Sequence, residues 1–146
     1  MSDKPKLTLS VVSQDKKLLE MTVDSVSLPT SEGEITVLPG HIPLFTLLTT
    51  GEVIYKHDKD ESSLVVTRGF ADITPDNQLL VMVDTAVHAR DLSEEKAHEA
   101  VKKAQETLAH MTAAPPNEKE LQMAEASLRL ALLQLRVAQR TKRTTL

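Results

Sequence analysis

The chain has 146 residues, enough for one core-forming domain with a small appendage. It has no cysteine, which excludes disulfide scaffolds, thiol catalysis, Cys-ligated zinc and iron–sulfur clusters. Three aromatic residues and a net charge of −4 exclude a base-stacking platform and a bulk electrostatic grip on DNA. No apolar run is long enough to span a bilayer. The opening MSDKPKLTLS lacks the apolar core of a secretory signal. The protein is therefore expected in the cytoplasm, meeting a membrane only through a partner.

In chain order, Leu7, Leu9 and Val11 alternate with Thr8 and Ser10, predicting a half-buried strand. Met21, Val23, Val26 and Leu28 predict another, with a slip of phase at Asp24–Ser25 such as a bulge makes. Ile35 and Val37 alternate before the Pro39-Gly40 turn. Val53-Ile54-Tyr55 and Leu64-Val65-Val66 flank the polar turn Asp58–Ser62 as in a hairpin. Phe70 and Ile73, the turn Thr74–Asn77 and Leu79–Val83 predict a second hairpin. Strands at this spacing argue for a sandwich or barrel.

Composition changes near residues 85–91. All four glycines lie between Gly33 and Gly69, and beyond Val87 the prolines are the adjacent Pro115 and Pro116. Residues 1–86 hold 7 Lys/Arg against 13 Asp/Glu, whereas residues 87–146 hold 10 against 8. The expected division is a β-sandwich over residues 1–87 and an antiparallel helical hairpin over 88–146, with helices at about 91–112 and 117–142. Asp91 and Glu94 have capping-box spacing at the start of the first helix. Ala97, Ala100, Val101, Ala104, Leu108 and Met111 form one face of it. Asn117 with Glu120 opens the second helix. Its seam is Leu121, Ala124, Leu128, Ala131, Leu135 and Ala138, and Met123, Leu130, Leu133 and Val137 make a further stripe.

Catalytic signatures are missing: there is no phosphate-binding glycine loop, nucleophile elbow or nucleophile–base pair. His41, His57, His88, His98 and His110 do not pair at metal-ligand spacing. Asp58, Asp60 and Glu61 read as a solvated hairpin tip rather than a calcium loop, since no EF-hand spacing accompanies them. The segment from Thr36 to Phe45 is a Pro-Gly turn followed by Ile42-Pro43, which holds Ile42 extended. It reads either as a rigid loop with His41 bonding local carbonyls or as a stiff docking loop. Arg136, Arg140, Lys142 and Arg143 follow the last acid, Glu125. They exceed what one helix dipole needs and point to a patch for an acidic partner surface.

Ser31-Glu-Gly-Glu34 followed by Val37-Leu-Pro-Gly-His-Ile-Pro-Leu44 carries a resemblance, extended by Leu47 and Gly51, Arg68–Ile73, Val83–Ala86 and Leu135–Ala138. Over nearly its whole length the chain resembles the epsilon subunits of bacterial F-type rotary ATP synthases. The resemblance implies a non-catalytic rotor subunit of the central stalk, without cofactor or metal, at the cytoplasmic face of the inner membrane. Its implied partners are the gamma subunit, the membrane rotor ring of c subunits, and the alpha and beta subunits of the catalytic head. It implies coupling of proton translocation to ATP synthesis, and inhibition of hydrolysis by helices that either fold on the sandwich or extend along gamma. The family's ring and gamma contacts map onto Glu34, Gly40, His41 and Ile42, and its contacts to the catalytic head onto Arg136, Arg140, Lys142 and Arg143. A free-standing protein-binding adaptor is the alternative reading.

Some relatives bind ATP through an Ile/Leu-Asp-x-x-Arg-Ala motif on the first helix and two arginines on the second. Here Ser93 replaces the acid, Lys96 replaces the first arginine, and Leu130 and Gln134 fall at the other two positions. Lysine cannot supply arginine's bidentate fork to phosphate, so no nucleotide site is expected.

Overall fold

A computed structural model describes residues 4–111 and 117–144, with side chains through Thr141. The chain divides into two compact units, Met1–Val87 and His88–Leu146.

The first unit is a β-sandwich. Its strands are β1 Leu7–Val12, β2 Lys17–Val23, β3 Ser25–Thr30, β4 Gly33–Val37, β5 Leu44–Leu48, β6 Gly51–His57, β7 Asp60–Val66, β8 Gly69–Thr74 and β9 Gln78–Val83. A short β10, Ala86–His88, leads out of it. The hydrogen-bonded order is β10-β7-β6-β3-β5-β8-β9-β1-β2, with β4 on the other side of β3. β1–β2, β3–β4, β3–β5, β3–β6, β5–β8, β6–β7 and β8–β9 pair antiparallel, and β1 and β9 run parallel. The path is thinnest where Thr30 of β3 meets Leu48 of β5, a single paired position. There the sheet turns over on itself, and its far strand β2 comes back against β6.

Alternation fills the space between the layers. Leu7, Leu9 and Val11 of β1, Val26 and Leu28 of β3, Val53 and Tyr55 of β6, Ala71 and Ile73 of β8, and Leu79, Val81 and Val83 of β9 are all buried. These strands contribute every second side chain, as the pleat requires, whereas β7 buries Ser63 through Val66 in succession. Gly69 is held to its identity by packing: a Cβ there would lie 1.9 Å from the carbonyl oxygen of Met82.

The slip of phase at Asp24 is a corner, not a bulge. β2 and β3 belong to different stretches of the sheet, and Asp24 lies between them. Its N–H donates to the Lys56 carbonyl at 2.7 Å. Its carboxylate accepts from Lys6 Nζ at 2.5 Å and from the Asp58 N–H at 2.7 Å. The corner is thereby tied to the tip of the β6–β7 hairpin, where Asp58 adopts φ 55°. β5 and β10 are strands that alternation did not reveal. Leu44-Phe45-Thr46-Leu47-Leu48 is apolar on both faces, so its period-2 signal is lost.

The second unit holds a 3-10 turn at Ala89–Asp91, then α1 Glu94–Met111 and α2 Glu118–Thr144. Asp91 ends the 3-10 turn and does not cap α1. Ser93 caps it: its Oγ accepts from the Lys96 N–H at 3.2 Å. Lys96 stands where a capping box needs an acid, so the expected Asp91–Glu94 pair gives way to a simple serine cap. Asn117 Oδ1 accepts from the Glu120 N–H at 2.8 Å and caps α2 as its type predicts. Gln139 Nε2 lies 3.4 Å from Glu94 Oε1, bringing the end of α2 to the start of α1. The helices are therefore antiparallel. Their seam buries Ala97 and Val101 of α1 and Ala124, Ala131 and Ala138 of α2 at seven-residue spacing. In the further stripe Val137 is fully buried, whereas Met123 is exposed.

Candidate functional site

The loop between β4 and β5 is set by its own sequence. Leu38, Pro39, Gly40 and His41 form a turn closed by the His41 N–H donating to the Leu38 carbonyl at 3.0 Å. Pro39 occupies the position that wants φ near −65°, and Gly40, at φ 83°, the position that needs positive φ. His41 Nδ1 lies 2.7 Å from the Ile42 carbonyl, the local bond expected of a rigid loop. The same loop leaves Ile42 73% exposed and Leu38 exposed beside it. The two readings of this segment are thus compatible: a rigid loop presents apolar tips.

β5 leaves this loop and carries an apolar outer face. Phe45 and Leu47 point outward, with Phe45 60% exposed. The register places Leu47 opposite Phe70 of β8, and Phe70 opposite Met82 of β9. The Phe45 and Phe70 rings stack, centroids 5.5 Å apart at 24°. Two of the three aromatic residues of the chain therefore lie on the surface. Phe45 and Phe70 stay there without a buried environment, and a contiguous exposed apolar patch of this kind is a candidate contact site.

Glu34 does not sit with Gly40, His41 and Ile42. It is exposed near the start of β4, paired with Pro29, beside the Ser31–Gly33 turn. The loop lies at the other end of that strand, roughly 13 Å away at about 3.3 Å per residue. The two are linked by β5, which runs from the loop to the β3–β4 turn, where the Ser31 N–H donates to the Leu47 carbonyl. The loop and the β3–β4 turn beside Glu34 thus lie at the two ends of β5, the strand that carries Phe45 and Leu47. Leu47, Phe70 and Met82 were not foreseen as site residues. The signal was present in β5 as a strand apolar on both faces, which a strand with one solvent face has no structural reason to be.

Other candidates have local partners. Asp58 faces Lys6 at 3.6 Å, and Glu61 faces Lys56 at 3.7 Å, the pattern of a solvated tip. Among the described residues no three His, Asp or Glu groups converge as metal ligands, and no helix is long and apolar enough to cross a membrane. The cleft under the loop is lined by Lys4, Lys6, Asp24 and Asp58 with Leu38 and Pro39. Lys6 pairs there with the carboxylates of both Asp24 and Asp58. Lys6 holds the Asp24 carboxyl below its ordinary range, and Asp24 in turn raises the Lys6 ammonium.

In the helical unit Arg136 and Arg140 are exposed on the last turns of α2. Lys142 and Arg143 continue its backbone, and their side chains lie outside the described ones. Leu130 and Gln134 line a shallow groove between α1 and α2 with Ala100, Lys103, Ala104, Thr107, Ser127 and Ala131. Ser93 caps α1 and Lys96 is exposed. The lining of the groove includes one cation, Lys103, and no arginine.

Comparison with known proteins accords with this architecture. The ATP synthase delta/epsilon-chain β-sandwich family model matches residues 6–89, and the long α-helix domain of the same chains matches 90–139. ATP synthase epsilon chain 2 of Ralstonia nicotianae is 39% identical over 140 residues, covering 95% of this chain and 97% of that protein. The epsilon chain of Dehalococcoides mccartyi is 36% identical over 138 residues, covering 94% and 96%. Among solved structures, a chain of the Euglena gracilis mitochondrial ATP synthase has the same fold. It superposes with a TM-score of 0.73 at 22% identity, over 90% of this chain and 80% of that one. A sandwich with an exposed apolar face, followed by a helical hairpin and matched along nearly its full length, belongs to the ATP synthase delta/epsilon family, among its epsilon chains.

Proposed function

We propose that the protein is the non-catalytic epsilon subunit of the central stalk of a rotary ATP synthase. It docks on the gamma subunit and the ring of c subunits and turns with them. It thereby couples proton translocation to ATP synthesis at the cytoplasmic face of the bacterial inner membrane. The observation that supports this reading is the exposed apolar face of Phe45, Leu47, Phe70 and Met82, with the exposed loop Gly40–Ile42 at one end of β5. A rotor subunit must transmit torque without slipping. A preformed apolar patch meets that need, because burying one aromatic side chain contributes about 1.5–3 kcal/mol.

The hairpin serves as the regulatory part. Its described seam holds five buried residues, four of them alanine. Apolar burial there supplies only a few kcal/mol against the entropy of ordering the helices. A competing surface on the catalytic alpha and beta subunits is enough to open it. Arg136, Arg140, Lys142 and Arg143 then meet acidic segments of that head and restrain ATP hydrolysis.

Replacing Phe45 and Phe70 together by Asp tests the contact side. Full-length double variant, added to ATP synthase stripped of this subunit, should bind at least about 100-fold more weakly, since two apolar anchors are lost and two charges must be desolvated. Wild-type affinity in a folded variant would remove the patch from the interface.

A further inference from the structure

Asn77 stands at the tip of the β8–β9 hairpin, with its backbone at φ 59°. Its carbonyl accepts from the Thr8 N–H at 2.9 Å. Its side-chain Oδ1 accepts from the Gly40 N–H at 2.6 Å, 37 positions away in sequence. Gly40 is the positive-φ residue of the turn that presents Leu38 and Ile42. Because those two side chains point to solvent, apolar burial does not hold the loop in shape. Pro39 and Pro43 restrict its torsions, His41 closes the turn through its local bonds to the Leu38 and Ile42 carbonyls, and the Asn77 bond ties that turn to the β8–β9 hairpin. The β8–β9 ladder itself runs through main-chain pairs, from Gly69 with Val83 to Thr74 with Gln78. It does not depend on the Asn77 side chain.

We propose that Asn77 is a positioning residue, which holds the Gly40 amide and so presets the loop Leu38–Ile42 for docking on the neighbouring central-stalk subunits. This rests on the reading of that loop as part of the contact side. A loop fixed in its bound shape binds more tightly without any added contact, because less conformational freedom is lost on association.

Three full-length variants, each titrated into ATP synthase stripped of this subunit, separate the possibilities. Asn77→Gly tolerates positive φ but lacks the acceptor; Asn77→Asp keeps the acceptor and also tolerates that backbone. Ile42→Asp spoils the loop surface directly. Asn77→Gly should weaken binding about three- to tenfold, the range of one net hydrogen bond, while Asn77→Asp stays within about twofold of wild type. Hydrogen exchange at the Gly40 amide should quicken in Asn77→Gly and not in Asn77→Asp. Wild-type binding by Asn77→Gly, equal weakening by Asn77→Asp, or a loss of binding that tracks a loss of thermal stability would each overturn the proposal. If Ile42→Asp weakens binding and Asn77→Gly does not, the positioning role alone fails. If Ile42→Asp also binds like wild type, the loop is no contact and the reading beneath the proposal fails with it.

Discussion

A single carboxylate organises the corner between β2 and β3. Asp24 has its pKa lowered from the ordinary 3.8, first by the hydrogen bond from Lys6 and then by that from the Asp58 N–H. Lys6 has its pKa raised from the ordinary 10.5, first by the bond to Asp24. The sign of each contribution follows from linkage. A lowered carboxylate stabilises the fold above its unfolded pKa, and that contribution is lost as pH falls through the folded value. A raised ammonium stabilises below its unfolded pKa, and its contribution is lost as pH rises through the folded value. The stability difference between wild type and Asp24→Asn should therefore be constant from about pH 5 to 9 and shrink below about pH 4. Urea unfolding across pH measures it; a difference that persists undiminished at pH 2.5 would show that the corner does not depend on the ionised pair. The sequence shows where the phase breaks at Asp24. It does not show that β2 and β3 part there for different neighbours, because Lys6, Lys56 and Asp58 are remote in sequence.

At the scale of elements, the helices were legible because their signals are local. Alanines at spacings of three and four mark the seam, Pro115-Pro116 the break and Asn117 the second cap. The first cap lies two positions beyond the expected Asp91, since Asp91 and Ser93 are both good capping types and the 3-10 turn at Ala89–Asp91 decides between them. The groove between the helices has an alanine-rich floor and includes Leu130 and Gln134, the positions at which the family resemblance leads one to expect arginines in an ATP site. Each lost charged hydrogen bond costs about 1.5–3 kcal/mol. Losing several weakens binding by several powers of ten. Calorimetric titration of the isolated subunit with ATP should show no saturable heat up to about millimolar concentration. A sub-millimolar dissociation constant would mean that other residues, such as Arg90 or Arg129, rebuild the site.

For the whole molecule, the two units are expected to divide the labour. A chain ending at Ala89 keeps every residue of the Glu34-to-Ile42 side and the Phe45–Phe70 patch. It should still join the complex and sustain proton-driven ATP synthesis in membrane vesicles. Failure of the folded truncation to assemble would refute that division. Full-length protein with Arg136, Arg140, Lys142 and Arg143 changed to Ala should assemble normally and raise ATP hydrolysis by the complex. The inhibition that remains should depend less on salt, because solvent-facing charges act mainly through screened, long-range attraction. Unchanged hydrolysis at low salt, with the variant shown to be incorporated, would exclude the basic end from inhibition.

The sequence by itself determined the strands with one buried face, both helices, the change of character near Val87 and the family. Each of these rests on patterns a few residues long or on motifs in linear order, and such patterns survive without knowledge of the fold. Tertiary structure decided what lies beside what. It set Leu47, Phe70 and Met82 in one row across β5, β8 and β9. It placed Glu34 and the loop of Ile42 beyond opposite ends of β5, and it brought Asn77 onto the Gly40 amide. Those neighbours depend on the order in which distant strands pair, which is set by closing the core as a whole rather than by any segment's own alternation.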